Sequence, residues 1–201
     1  MGPQASGKGT IGRMLSEKLK FPLISIGDIL RHLPKSHPRY KEVNELMEKG
    51  ELAPQDLIAE LLEYRLAQAD CYKGYILDGW YRAMENVRLL DVEPDVVIVL
   101  EISEETTIRR ISGRRTCTSD GEIYNIYTLP KEELEECEGE LVQREDDTEE
   151  AVKKRLSIYN TETKEVVEYL KNRGTNVREV NAEGPPEEVF EAVMKVLNPI
   201  I

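Results

Sequence analysis

Two spacings of apolar residues alternate along this chain. Ile11, Met14, Leu15 and Leu19 recur at helical intervals and predict a helix over residues 10–20. Pro22-Leu23-Ile24-Ser25-Ile26 reads as a short strand, after which Gly27-Asp28 opens a helix carrying Ile29 and Leu30. Pro34, His37 and Pro38 break that helix, and a small one follows over 40–49 until Gly50 ends it. Pro54 suits the first position of the next helix, which Leu57, Ile58, Leu61 and Leu62 carry to about Ala69. Tyr75-Ile76-Leu77 and Val96-Val97-Ile98-Val99-Leu100 are unbroken apolar runs, the pattern of strands covered on both faces. Helices are expected over 83–90 and 104–112. A long helix opens at Asp147-Thr148-Glu149-Glu150, a capping-box arrangement, and shows an apolar stripe of Val152, Leu156, Tyr159, Val166 and Leu170. Residues 176–180 form a last strand and 185–197 a last helix. Strands alternating with helices predict an α/β fold with a parallel sheet flanked by helices.

Residues 116–146 interrupt this alternation. They are poor in large aliphatics, rich in turn residues, and include Glu132-Glu133-Leu134-Glu135-Glu136, so they read as an inserted lobe. The 201 residues suit one domain with some elaboration, and 40% hydrophobic content is enough for a core, which excludes wholesale disorder. No apolar run approaches the roughly 20 residues of a membrane helix. Three cysteines are too few for a secreted disulfide framework and point to a reducing cytoplasm. Two histidines make histidine-based triads and metal centres poor candidates. With 27 basic and 39 acidic side chains the net charge is −12, which repels nucleic acid and anionic membranes unless cations gather locally.

They have the means to gather. Gly2-Pro3-Gln4-Ala5-Ser6-Gly7-Lys8-Gly9-Thr10 opens the first helix. Glycines let backbone N–H groups close on a phosphate, the helix start adds partial positive charge, and Lys8 adds a full one. The generic phosphate loop has Ser or Thr directly after the lysine, whereas here Gly9 intervenes before Thr10; a glycine-rich helix entry that binds nothing is the alternative. Arg31, Arg82, Arg110, Arg114, Arg144 and Arg155 fall beside glycine turns, strand ends or helix starts. Arg110 and Arg114, four apart, share a helix face if the helix reaches both. Surface ion pairing is the plain alternative for each arginine taken singly.

These residues, in order, resemble the adenylate kinase family of nucleoside monophosphate kinases. The resemblance rests on Gly2 to Thr10, Ser25-Ile26-Gly27-Asp28-Ile29-Leu30-Arg31, Gly50-Glu51-Leu52, Leu77-Asp78-Gly79-Trp80-Tyr81-Arg82 and Arg110-Ile111-Ser112-Gly113-Arg114-Arg115. It continues through Gly121 to Tyr124, Gly139-Glu140-Leu141-Val142-Gln143-Arg144-Glu145-Asp146-Asp147, and Arg155-Leu156 with Tyr159. It implies a lobe over 25–54 that binds the nucleoside monophosphate, a lid over 116–146, and reversible phosphoryl transfer from ATP to AMP with Mg²⁺. By the family pattern Gly2, Gly7, Lys8, Gly9, Thr10, Arg110, Arg114 and Tyr127 bind ATP. Ile26, Arg31, Leu52, Ala53, Gly79, Arg82, Asn86, Arg144 and Arg155 bind the monophosphate. Lys8, Arg82, Arg114, Arg144 and Arg155 are the catalytic set, and Asp78 orients Mg²⁺ through water. Phosphoryl transfer needs in-line positioning and cations around the equatorial oxygens, and needs no histidine base. A cytoplasmic monomer is expected.

Four departures from the family pattern carry expectations. The family's first strand precedes the phosphate loop, but here the loop begins at residue 2, which suggests a start further upstream. Ile26 and Asn86 replace a hydroxyl or small residue and a glutamine beside the acceptor base, which opens UMP or CMP as alternative acceptors, and a nucleotide binder without turnover is the third reading. Trp80-Tyr81 replaces Phe-Pro and is expected to soften acceptor positioning. Cys117, Asp120, Leu134 and Cys137 stand where relatives carry zinc ligands, so Cys117, Asp120 and Cys137 form a weak zinc candidate, with buried thiols as the alternative. Cys71 is expected in the core.

Overall fold

The structure is a computed structural model and describes residues 1–198. The glycine-rich loop enters α1 (Lys8–Leu19) through Gly7 at φ 90°, a left-handed turn that favours glycine. β1 (Leu23–Ser25) passes into α2 (Ile26–Arg31) with no loop between them, because the Ser25 hydroxyl accepts from Asp28 N at 3.3 Å and caps the helix. The helix therefore begins one residue before Gly27. α3 (Tyr40–Glu48) ends at Gly50, where φ is 70° and a Cβ would lie 2.3 Å from the Ala151 carbonyl oxygen. Only glycine permits that close approach. α4 (Gln55–Leu66) takes Pro54 as its N-cap, not as its first helical residue, and a 3₁₀ turn at Ala69–Cys71 follows.

β2 (Ile76–Asp78), α5 (Met84–Leu89), β3 (Val97–Glu101) and α6 (Glu104–Gly113) come next, close to the expected bounds. α6 stops at Gly113, so Arg114 does not share a helix with Arg110; it opens β4 (Arg114–Cys117). The inserted lobe is built from β4, β5 (Ile123–Asn125), α7 (Lys131–Leu134) and β6 (Leu141–Val142), with β4 central and antiparallel to both neighbours. The long helix after it is divided into α8 (Glu149–Ile158), a π segment at Tyr159–Thr163, and α9 (Lys164–Asn172). Its cap is Thr148, whose hydroxyl accepts from Ala151 N at 3.2 Å; Asp147 is used elsewhere, and the expected capping box does not form. β7 (Val177–Asn181) and α10 (Pro186–Leu197) complete the described chain.

β1 pairs in parallel with β2, and β3 with β7. Among the described residues the two pairs share no strand hydrogen bonds. Met1 lies beside β3, where Leu100 N donates to its carbonyl at 2.9 Å and its own amino group donates to Ile98 O. One core cluster joins Ile24, Leu62, Val99, Val166 and Leu170, and a second joins Ile11, Leu15, Leu100 and Val193 under α1 and α10. Leu62 and Leu170 are 0% exposed, so each stabilises the fold by about 1.5–3 kcal/mol. The ends of β1 and β2 and the starts of α1, α2 and α4 line one cavity.

Two expectations are corrected here. Cys117 and Cys137 are joined in a disulfide, which removes both thiols from the zinc candidate, and Asp120 accepts from Glu122 N at 2.7 Å within a turn. No cluster of three metal-ligating side chains occurs among the described residues. Trp80 and Tyr81 do not loosen their turn, because both are buried and bonded. Trp80 Nε1 donates to Leu90 O at 3.0 Å, and the Tyr81 hydroxyl donates to Asp91 and accepts from Val92 N at 3.1 Å. Cys71 is a buried free thiol, as expected.

Candidate active site

A cavity of about 970 Å³ runs between the phosphate loop, the 25–54 lobe and the inserted lobe. Gly2, Gly7, Lys8, Gly9 and Thr10 line it, as do all six arginines singled out in the sequence. A Cβ at Gly7 or Gly9 would meet nothing within 4 Å, so the loop backbone borders open space. Lys8 is folded back over the loop, donating to Pro3 O at 2.6 Å and Gly2 O at 2.9 Å. Burial pushes its ammonium pKa down to about 8. Arg82, Arg114 and Arg155 press it the same way, and Asp78 opposes them.

Each arginine arrives from a different element. Arg31 ends α2 and lies over Gly27, where a Cβ would come within 3.0 Å of Nη1; it pairs with Asp28 at 2.9 Å and approaches Asp146 at 4.0 Å. Arg82 lies over Gly79 in the same manner, 3.2 Å from the position of a Cβ. Arg110 staples the phosphate loop to the segment after β7, through Ala5 O at 3.3 Å and the carbonyls of Glu183 and Gly184 at 3.0 Å. Arg114 grips Asp147 with Nε at 2.9 Å and with Nη2. Arg155 bonds Asp146 and, at 3.0 Å, Met47 O. Burial pushes the Asp146 carboxyl up, but Arg155, Arg31 and Arg114 outweigh it and hold that carboxyl below the usual range.

The charges do not cancel. Asp146 and Asp147 serve Arg31, Arg114 and Arg155, while Lys8, Arg82 and Arg144 have no carboxylate within 4.0 Å among the described residues. Burial lowers the Arg82 pKa, and burial with repulsion from Arg31 and Arg114 lowers that of Arg144 to about 10. Among the described residues Arg144 has one polar partner, the Thr116 hydroxyl at 3.0 Å. Cations held in this way are stable only because the fold forces them together, and an anion with several charged oxygens completes them. Asp78 Oδ1, at the end of β2, is buried without a hydrogen-bond partner, the orphaned oxygen that a hydrated cation would satisfy.

Among the monophosphate residues, Ile26, Leu52, Ala53 and Gly79 also line the cavity. Two expected site residues do not. Tyr127 is 63% exposed and packs across Gly113 outside the lining, because Asn125 Oδ1 accepts from its backbone N and turns the chain there. Asn86 is 1% exposed and spends its side chain within the fold, accepting from Arg82 N at 2.7 Å and Ala83 N at 2.9 Å. Gln55, at the start of α4, lines the cavity in its place. Sequence reasoning passed over Gln55, and the only signal for it was a polar residue after Pro54. The counterion roles of Asp146 and Asp147 were signalled only by their adjacency to Arg144.

A glycine loop at a helix start, a parallel α/β core and a basin of convergent cations define a nucleotide-binding kinase fold of the phosphate-loop class. The adenylate kinase family model matches residues 1–175. The adenylate kinase of Thermodesulfovibrio yellowstonii is 35% identical over 208 residues, covering 98% of this chain and 96% of the relative. Those of Clostridium tetani and Archaeoglobus fulgidus are 36% and 37% identical over 211 residues, covering 100% of this chain and 97% of each relative. The chain belongs to the adenylate kinase family.

Proposed function

We propose that this chain transfers the terminal phosphoryl group of ATP reversibly to AMP, giving two ADP. The observation that carries the reading is the set of cations without carboxylate partners among the described residues, Lys8, Arg82 and Arg144, lining one cavity large enough for two nucleotides. In this reading Lys8 and the loop amides hold the donor phosphates. Arg110, Arg114, Arg144 and Arg155 surround the transferring group, and Arg31 and Arg82 hold the acceptor's phosphate. Arginine suits these places because its planar fork grips two oxygens at once. Asp78 would hold Mg²⁺ through water, and Mg²⁺ when bound neutralises charge on the donor phosphates. The inserted lobe closes the cavity and keeps water from the phosphoryl group.

All the cations come from one chain, so a monomer suffices, and the cytoplasm supplies both nucleotides. With a net charge of −12 and the six arginines of the site lining the cavity, the protein as a whole repels nucleic acid and anionic lipid. The names of the relatives favour AMP over UMP or CMP. A coupled assay with ATP and each of AMP, UMP, CMP and GMP tests the assignment, and AMP is expected to react fastest. A faster pyrimidine acceptor would replace it, and tight binding of an ATP analogue with no turnover on any acceptor would reduce the protein to a nucleotide binder.

Lys8 gives a second test. Its depressed pKa means that the free protein sheds this charge as pH rises through about 8, whereas a bound triphosphate keeps the proton on. Calorimetry at roughly pH 8.5 in two buffers of different ionisation enthalpy is expected to show proton uptake on ATP binding, and affinity is expected to fall between roughly pH 7 and pH 9. Lys8→Met should lose both effects. A pH-independent affinity in the parent protein would contradict the assignment of Lys8.

A further inference from the structure

The geometry points to Gln55 as the residue that reads the acceptor's base, with Asn86 as the positioning residue that fixes which way the Gln55 amide faces. This deepens the phosphotransfer reading above and rests on it. The argument begins with two groups whose polarity is beyond doubt. Arg82 N and Ala83 N are backbone donors, and both donate to one side-chain atom of Asn86, at 2.7 and 2.9 Å. That atom has to be the amide oxygen, so the Asn86 nitrogen is turned the other way, and there it donates to Gln55 Oε1. From its other side Gln55 Nε2 donates to the Ala53 carbonyl. Two independent contacts thus set one orientation of the Gln55 amide, and reversing it would bring like atoms together at both.

Gln55 is half-buried and lines the cavity beside Ile26, Leu52 and Ala53, whereas Asn86 is 1% exposed and has no access to it. The Asn86 carbonyl is tied to the backbone of Arg82, the arginine placed on the acceptor's phosphate, so base reader and phosphate holder hang on one turn. The Gln55 amide retains one unused N–H and one unused oxygen lone pair. Adenine and cytosine present a ring nitrogen that accepts beside an amino group that donates, and each matches that pair. Hypoxanthine and guanine present a ring N–H with a carbonyl on one side only, the reverse pattern. They would require the amide to turn over, against Asn86 and Ala53. The fixed amide therefore selects amino bases over oxo bases, and two short side chains in series do what one longer amide could do alone.

The test is equilibrium binding of AMP and of inosine monophosphate by calorimetry, with GMP as a second oxo base, in the parent protein, Gln55→Leu and Asn86→Asp. Acceptor kinetics are run alongside. The parent is expected to favour AMP over inosine monophosphate by at least ~10-fold. Gln55→Leu should raise the Kd and KM for AMP by ~10-fold or more, collapse the amino/oxo ratio toward unity, and leave kcat within about 3-fold and ATP affinity unchanged. Asn86→Asp still accepts from Arg82 N and Ala83 N but no longer donates to Gln55. It should lower the amino/oxo ratio at least ~5-fold, with Ala53 still holding the amide from the other side. A ratio cancels any loss of folded protein, so a purely structural role for either residue would not move it. A ratio unchanged in Gln55→Leu, or a parent protein without an amino/oxo preference, overturns the inference. Because binding is read directly, absence of turnover would sink the phosphotransfer reading while these ratios still decide the role of Gln55.

Discussion

Arg144→Ala is expected to lower kcat by at least ~10²-fold while the melting temperature stays unchanged or rises. The stability half of this expectation comes from what Arg144 lacks. Its only polar partner among the described residues is the Thr116 hydroxyl, and burial together with Arg31 and Arg114 disfavours its charge. Its pKa in the fold, about 10, lies below the ordinary guanidinium range, so at neutral pH the penalty for holding the charge is fully present. Alanine removes that penalty. The activity half follows from the same geometry, because a desolvated cation facing the cavity acts on phosphate charge as it develops, with little solvent to screen it. Thermal unfolding and steady-state kinetics on one preparation decide the matter. A variant that melts several degrees lower would show that Arg144 has a structural partner after all.

Arg114→Ala is expected to behave differently, losing both activity and stability. The Asp147 side chain is 0% exposed and Arg114 11%, and the bidentate grip between them is the most enclosed ion pair at the site. Without Arg114, the Asp147 carboxylate loses both of its charged hydrogen bonds, and the Gln4 amide, whose oxygen accepts from Arg114 and Arg155, does not replace them. Stranding a buried carboxylate costs about 3–5 kcal/mol, a fall in melting temperature on the order of 10 °C for a domain of this size. The double replacement Arg114→Leu with Asp147→Leu should recover most of that fall, since apolar residues of similar volume do not need the pairing. It should not recover kcat, which is expected to remain at least ~10²-fold down. Recovery of both in the double variant would show that Arg114 matters only as the partner of Asp147.

Strands at 76–78 and 97–101 were legible because continuous apolar runs announce burial on both faces, whereas the caps Ser25 and Ser103 were not read from the sequence and the helix after β1 starts one residue earlier than expected. Elements whose ends depend on distant neighbours were not. The π segment at Tyr159–Thr163 leaves the stripe of Val152, Leu156, Tyr159, Val166 and Leu170 buried, so nothing in the pattern marks it. The helix between Arg110 and Arg114 ends at Gly113 because Asn125 and Tyr127 pack against that glycine, a contact made across the lobe. Spacing alone could not bring together arginines as far apart as positions 31 and 155; only the ordered resemblance to a family did that. Asn86 occupied the right place in the motif, but its shorter side chain turns to backbone donors one turn away, and Gln55 was left to face the cavity. The joining of Cys117 to Cys137 likewise follows from how β4 and the turn after α7 meet, which composition does not record.

Asp146 and Asp147 have one more consequence. Arg114 and Arg155 are already engaged before any substrate arrives, so a phosphate entering the basin exchanges one anionic partner for another and gains only the difference between them. In the proposed reaction the same exchange runs backward when ADP leaves, because a carboxylate stands ready to reclaim each guanidinium. An enzyme whose two products are both polyanions would otherwise be throttled by its own grip, and this pair of aspartates is a means of letting go.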